Sequence, residues 1–369
     1  MFDKVANLFI IIFFFNEFIH LVNSQCPPDF VLKPCSCKSS IPFHTNILFN
    51  NPNPEANIIQ RKSIACEHIH NSSFDLQLVF LTLSSFNSLI SNKTANVSDF
   101  DSFYLYNTTV KELPENVFIN ITFKSLMFQD NFQLATIDKN AFSYFKNHVE
   151  LFETLNTNLS DAETIFSIIK EFQNLARLSM HNDRLKFIPN YAFNHKHLTN
   201  IFFGLEYSDK YQPIESIGNY AFYNLPNLQF LRIFSPTLSR INKYAFALRN
   251  RSILNNGVSN MLELYLGGEM IESTSFELTS LSRFRNRFVF IRFYNTSITY
   301  LDEDIFQPFL ESNPSSLLDI NPTNTLFKCD CRSAWIQYDY FKNVYPMDNR
   351  VYGYPCWDYD FAKNCTINK

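Results

Sequence analysis

Glycine is scarce in this 369-residue chain. The six residues, at positions 204, 218, 257, 267, 268 and 353, are too few and too scattered to build a Gly-rich backbone nest for phosphate. Charge is sparse as well, with 18% Asp, Glu, Lys and Arg and a formal net charge of −4. Without a basic block, neither nucleic acid nor an anionic membrane surface is an expected partner. The sequence also lacks G-x-S-x-G, H-E-x-x-H, the phosphate loop and the dinucleotide turn. No catalytic residue, cofactor or metal is therefore assigned, and the chain is read as a non-enzyme. The densest carboxylate cluster, Asp302, Glu303 and Asp304, lies within one turn and reads as solvated surface.

Cysteine is missing from the whole middle of the chain: Cys26, Cys35, Cys37 and Cys66 precede it and Cys329, Cys331, Cys356 and Cys365 follow it. Even counts in both flanks of an exported chain predict two disulfide-stapled caps. Export is expected because residues 1–24 have the form of a signal peptide. Lys4 is followed by the apolar run Leu8 to Phe15 and by Val22-Asn-Ser24 as a small-residue cleavage site. That run is well short of the ~20 residues a membrane span requires, and no second apolar run or lipid-anchor tail follows Gln25. Loss of Asp3, Lys4 and Glu17 leaves 30 basic against 33 acidic residues. Sequons at Asn71, Asn92, Asn96, Asn107, Asn120, Asn158, Asn250 and Asn295 fit a secreted glycoprotein, whereas Asn364 abuts Cys365 and is a poor acceptor. Zinc at Cys35-x-Cys37 with His68-x-His70 is the alternative to disulfides there. His195 and His197 read as solvated loop histidines.

What the sequence does have is phenylalanine, 41 residues of it, set in a repeat. Ile137-x-x-x-Ala141-Phe142 recurs as Ile188-x-x-x-Ala192-Phe193, Ile217-x-x-x-Ala221-Phe222 and Ile241-x-x-x-Ala245-Phe246. Leu113 to Phe118 and Leu301 to Phe306 keep the same spacing, and Phe118 to Phe142 and Phe222 to Phe246 are each 24 residues apart. An L-x-x-L-x-L stretch precedes the phrase, as in Leu175-x-x-Leu178-x-Met180, Leu198-x-x-Ile201-x-Phe203 and Leu228-x-x-Leu231-x-Ile233, and alternation at its last two anchors marks a short strand.

These stretches resemble the leucine-rich repeat family over roughly residues 100 to 309, in about eight units. The resemblance implies an α/β solenoid with a curved parallel β-sheet on its concave face, an irregular or short-helical convex side, and disulfide caps at both ends. The expected organisation is a signal peptide at 1–24, an N-terminal cap with a first irregular repeat at 25–99, repeats at 100–314 and a C-terminal cap at 315–369. Cys26-Pro27, Cys35-Ser-Cys37 and Cys66 resemble the family's N-terminal cap, implying Cys26–Cys37 and Cys35–Cys66. Phe327-Lys-Cys329-Asp-Cys331 with Trp335 resembles the C-terminal cap, implying Cys329–Cys356 and Cys331–Cys365. The layout is also similar to that of secreted arthropod leucine-rich repeat proteins. Two units depart from the pattern, between Phe142 and Phe193 and after Phe246. Where the family usually places a turn Asn, this chain has Thr108, Asn131, Asp183, Pro236, Glu269 and Thr296, so water or less regular bonds are expected to satisfy those turns.

Assigning the anchors to the core leaves a calculable outward face. It is rich in Tyr, Phe and Arg, the side chains that dominate protein-binding hot spots. Phe202, Phe230, Arg232, Phe234 and Tyr265 form its expected centre, with Arg177 and Arg292 adding directional bonds. Tyr207, Asp209 and Tyr211, in an insertion after Phe203, are a candidate side wall. The function expected is binding of an extracellular protein through the sheet. The alternatives are a non-catalytic subunit of a secreted enzyme complex and a self-associating matrix component.

Overall fold

A computed structural model describes residues 26–38, 62–71, 74–90, 98–205, 211–249, 261–284, 287–313, 315–320, 327–337 and 350–356. The signal-peptide residues, Asn92, Asn96, Asn250, Tyr207, Asp209 and Cys365 lie outside them. Among the described residues no helix is long and apolar enough to cross a membrane. The chain divides into two compact units, residues 1–149 and 150–369.

In the first unit, helix α1 (Asp29–Leu32) leads into strand β1 (Ser36–Lys38), which pairs antiparallel with β2 (Ser63–Glu67). Strands β3 (Asp99–Tyr106) and β4 (Thr122–Gln129) then add in parallel. Helix α2 (Leu76–Ile90) inserts Phe80, fully buried, against the edges of Phe103, Phe118 and Phe123 at 4.7–5.9 Å. Cys26–Cys37 and Cys35–Cys66 are disulfides, as the family resemblance implies. Zinc is thereby ruled out at Cys35-x-Cys37, since both thiols are committed.

The second unit is a run of parallel strands: β5 (Leu151–Leu155), β6 (Arg177–His181), β7 (Asn200–Phe203), β8 (Phe230–Phe234), β9 (Met261–Gly267), β10 (Phe288–Tyr294), β11 (Leu317–Asp319) and β12 (Val351–Tyr352). Within β10 burial alternates residue by residue, the pleat turning Val289, Ile291 and Phe293 into the core. With few helices and a core behind a parallel sheet, this is an α/β leucine-rich repeat solenoid fold.

The recurring phrase explains the far side of each unit. Ile188, Ile217 and Ile241 end short parallel strands, Phe187–Ile188, Ser216–Ile217 and Arg240–Ile241. Phe193, Phe222 and Phe246 stack as one ladder, with centroids 5.4 and 5.7 Å apart and planes within 18° of parallel. Tyr191, Tyr220 and Tyr244, each two residues before its ladder Phe, share the left-handed backbone (φ 50 to 54°) and form a second stack.

The two departures have structural solutions. Between Phe142 and Phe193 helix α3 (Ala162–Glu171) fills the unit, started by the Asp161 side chain accepting from Thr164 N, and its Phe166 meets Phe193 edge-on at 5.5 Å. After Phe246, Phe276 is bridged in parallel to Ile241 and so takes the place of the aliphatic anchor, where it packs edge-on against Phe293 and Phe306. Helix α4 (Glu303–Ser312) makes Asp302 a cap, its Oδ1 accepting from Asp304 N, so part of that acidic cluster starts a helix. Cys329–Cys356 closes the C-terminal flank beside buried Trp335, whose Nε1 donates to Leu301 O. Cys331 is also disulfide-bonded.

The turn positions differ from expectation, because side chains satisfy them. Asn131 Oδ1 accepts from the backbone N and the hydroxyl of Thr108, and its Nδ2 donates to Leu105 O. Asp183 accepts from the hydroxyls of Thr154 and Thr157, each at 2.6 Å, while its own N donates to Gln212 Oε1. Ser235 Oγ donates to Ile214 O and Ser297 Oγ to Glu269 O. His195 is a second correction. It is buried at 1% exposure, its ring Nε2 lies 2.9 Å from Ile169 O in the last turn of α3, and burial lowers its pKa. Ile169 O already accepts from Phe172 N at the helix end, and the His195 ring is a second partner on that carbonyl. His197 is exposed, as expected.

Candidate protein-binding face

Strand register carries the outward side chains into rows. One row in the second unit runs Glu153, Ser179, Phe202, Arg232, Tyr265, Arg292 and Asp319, each aligned with the next across a parallel pair. The row on one side runs Arg177, Asn200, Phe230, Glu263 and Phe290. On the other side Phe234, Gly267 and Tyr294 are aligned. All seven candidate residues thus fall in three adjacent rows, with Arg177 at the β6 end of its row.

Their accessibility is uneven, which corrects the expectation of a uniformly exposed aromatic patch. Phe230, Arg232, Tyr265, Arg292 and Arg177 are half-buried. Phe202 and Phe234, however, retain only 2% and 3% exposure. Gly267 explains the second case: a Cβ there would collide with the Phe234 ring, so the missing side chain leaves a gap into which Phe234 folds. The edge of Phe234 also meets Tyr294 at 6.1 Å. Phe202 has the Arg232 guanidinium 5.8 Å from its ring centre.

Electrostatics knit the centre. Arg232 and Arg292 lie over the Tyr265 ring at 4.6 and 5.3 Å, and Arg292 is 4.3 Å from the Phe290 centroid. Tyr265 OH donates to Glu263 Oε2 at 2.6 Å and accepts from Arg292 Nη1 at 2.9 Å; burial first, then the Glu263 bond, raises its pKa. Arg292 Nε is 3.7 Å from Asp319 Oδ2. At the β5 end of the row Glu153 is held up to about 7 by burial, opposed by the charge of Arg177. Asp183, beneath the strand ends, is raised to about 6 by burial against the lowering effect of its Thr154 and Thr157 bonds.

Among the sequons in described residues, Asn71 and Asn120 are exposed and Asn107, Asn158 and Asn295 half-buried. Asn295 follows directly after β10. The strands holding Asn200, Phe230 and Met261 bear no sequon. Of the side wall, Tyr211 is 37% exposed.

A family model described as BspA type leucine rich repeat region matches six copies in the chain, over residues 111–253 and 162–307. No curated protein matches it.

Proposed function

The chain belongs to the BspA type leucine-rich repeat family, whose repeats match residues 111 to 307 of 369, and on that premise we propose that it is a secreted, non-catalytic scaffold that binds another extracellular protein through its outward sheet face. Repeat scaffolds of this family are protein-interaction modules, and the solenoid offers a broad rigid surface for that work. The observation that carries the reading is the register: half-buried Phe230, Arg232, Tyr265 and Arg292 stand on consecutive strands of one sheet. Such side chains bury large area at low rotamer cost. Sequons absent from the central strands keep glycans off that surface, and the disulfides suit an oxidising compartment.

The test is capture from native extracellular fluid, with secreted wild type beside a Phe230→Ala, Tyr265→Ala variant of unchanged melting temperature. Loss of a defined partner from the variant is expected, each aromatic being worth about 2 kcal/mol or more at a hot spot. Equal capture by both would move the site off the sheet. Recovery of the chain alone, assembling with concentration, would favour a matrix component.

A further inference from the structure

Arg232 differs from the buried Arg287 and Arg350 and from its half-buried sheet neighbour Arg292. Arg287 donates through Nη2 to Met261 O at 3.0 Å and to Leu228 O. Arg350 donates to the carbonyls of Ser316, Leu310 and Asn313 at 2.9–3.0 Å. Arg292 has Tyr265 and Asp319. Among the described residues Arg232 has no hydrogen bond and no carboxylate: its Nε is buried without an acceptor, and its contacts are the rings of Phe202 and Tyr265. A buried donor left unpaired is costly, and nothing in the fold of this strand requires one.

We infer that Arg232 is a docking position for a single carboxylate, an Asp or Glu side chain presented by a protein partner. This rests on the sheet-face reading above and names its chemistry. The rings of Phe202 and Tyr265 occupy the faces of the guanidinium, and because Nε is buried the edge left for a carboxylate is the terminal one, where Nη1 and Nη2 give a two-bond fork. The flanking rings keep the fork in place and restrict water, so each bond gains strength. Phe230, two residues back on the same strand and the same face, supplies the apolar area that a lone ion pair lacks. The surroundings select one negative charge rather than many. Glu263 is aligned with Phe230, Asp319 with Arg292, and the chain is net negative, so a polyanionic glycan or nucleic acid meets repulsion where one side chain does not.

The experiment pans a phage-displayed random dodecapeptide library on the full secreted chain, wild type against Arg232→Gln, with Arg232→Lys and Phe230→Ala as further baits and melting temperatures checked. Arg232 makes no hydrogen bond or ion pair with the described residues, only its contacts with the Phe202 and Tyr265 rings, so Arg232→Gln is expected to melt close to wild type. Wild type is expected to enrich peptides with one invariant acid beside apolar residues. Their affinity falls about tenfold or more on Arg232→Gln, and less on Arg232→Lys, which keeps the charge without the fork. Changing the peptide's acid to its amide weakens binding to wild type but costs nothing further on Arg232→Gln. The inference is overturned if no enriched peptide depends on Arg232, or if Arg232-dependent retention on heparin at physiological salt shows a polyanion site. Peptides lost on Phe230→Ala but not on Arg232→Gln sink this inference alone; peptides indifferent to both sink the sheet-face reading with it.

Discussion

At the scale of single residues, Asp183 shows how a departure from a repeat pattern becomes a titratable feature. The equivalent turn position in the first unit is Asn131, whose amide donates to the carbonyls of Leu105 and Gln129 and whose oxygen accepts from Thr108. Asp183 cannot donate, so the chain supplies hydroxyl donors, Thr154 and Thr157. The carboxylate is nonetheless fully enclosed, and its pKa rises from 3.8 to about 6. The sign follows: the folded state holds this proton more tightly than the unfolded chain. Its contribution is therefore fully present below pH 4 and is lost as pH rises through about 6. The shift corresponds to at most roughly 3 kcal/mol. Asp183→Asn removes the charge and leaves an amide that Thr154 can accept from. The stability of wild type relative to Asp183→Asn is expected to fall between pH 4.5 and pH 7.5 in chemical denaturation. A difference that does not vary with pH would show that Asp183 ionises freely in the fold. Glu153 titrates in the same direction in both proteins, so the comparison isolates Asp183.

At the scale of elements, the sequence carries the strands and their register well, because anchors at fixed spacing leave few choices of which side chain faces in. The outward rows read from L-x-x-L-x-L are those the sheet displays. It fails where a polar residue takes an anchor's place. Strand β5 escapes notice because its third anchor is Thr154, buried to bond Asp183. Gln212 reaches its turn role only after an inserted loop, beyond any fixed spacing. His195 looks like a loop residue until helix α3 brings Ile169 O to it. The buried state of Phe234 depends on a gap at Gly267, a neighbour in the sheet 33 positions away in sequence. The phenylalanine ladder is the strongest element-level claim, since Phe222 is fully buried between Phe193 and Phe246. Phe222→Ala removes the middle ring and leaves a cavity that the two neighbours cannot both fill. A loss of ~3–5 kcal/mol is expected in denaturant unfolding, and a small change in midpoint would mean the ladder is not a stability determinant.

At the scale of the molecule, stability must come from a stacked core whose outermost strands need protection. In a repeat array each unit buries its face on the next, so a terminal unit leaves apolar surface and strand edges open. The first unit meets this with β1 laid antiparallel on β2 and with Cys35 and Cys66 joined across a sequence separation of 31 residues. Closing a loop of that length lowers the entropy of the unfolded chain enough to stabilise the fold by roughly 3–4 kcal/mol in the chain-entropy picture. Cys66 is fully buried and Cys35 nearly so, so small apolar replacements keep the native packing while deleting the crosslink. The Cys35→Ala, Cys66→Ala variant is therefore expected to lose about that much stability in denaturant unfolding under oxidising conditions. Under reducing conditions, where wild type has lost its crosslinks too, the two chains are expected to converge. That convergence separates the crosslink from mere packing of sulfur, which would leave the same deficit in both buffers. A chain that draws this share of its stability from disulfides is suited to an oxidising compartment.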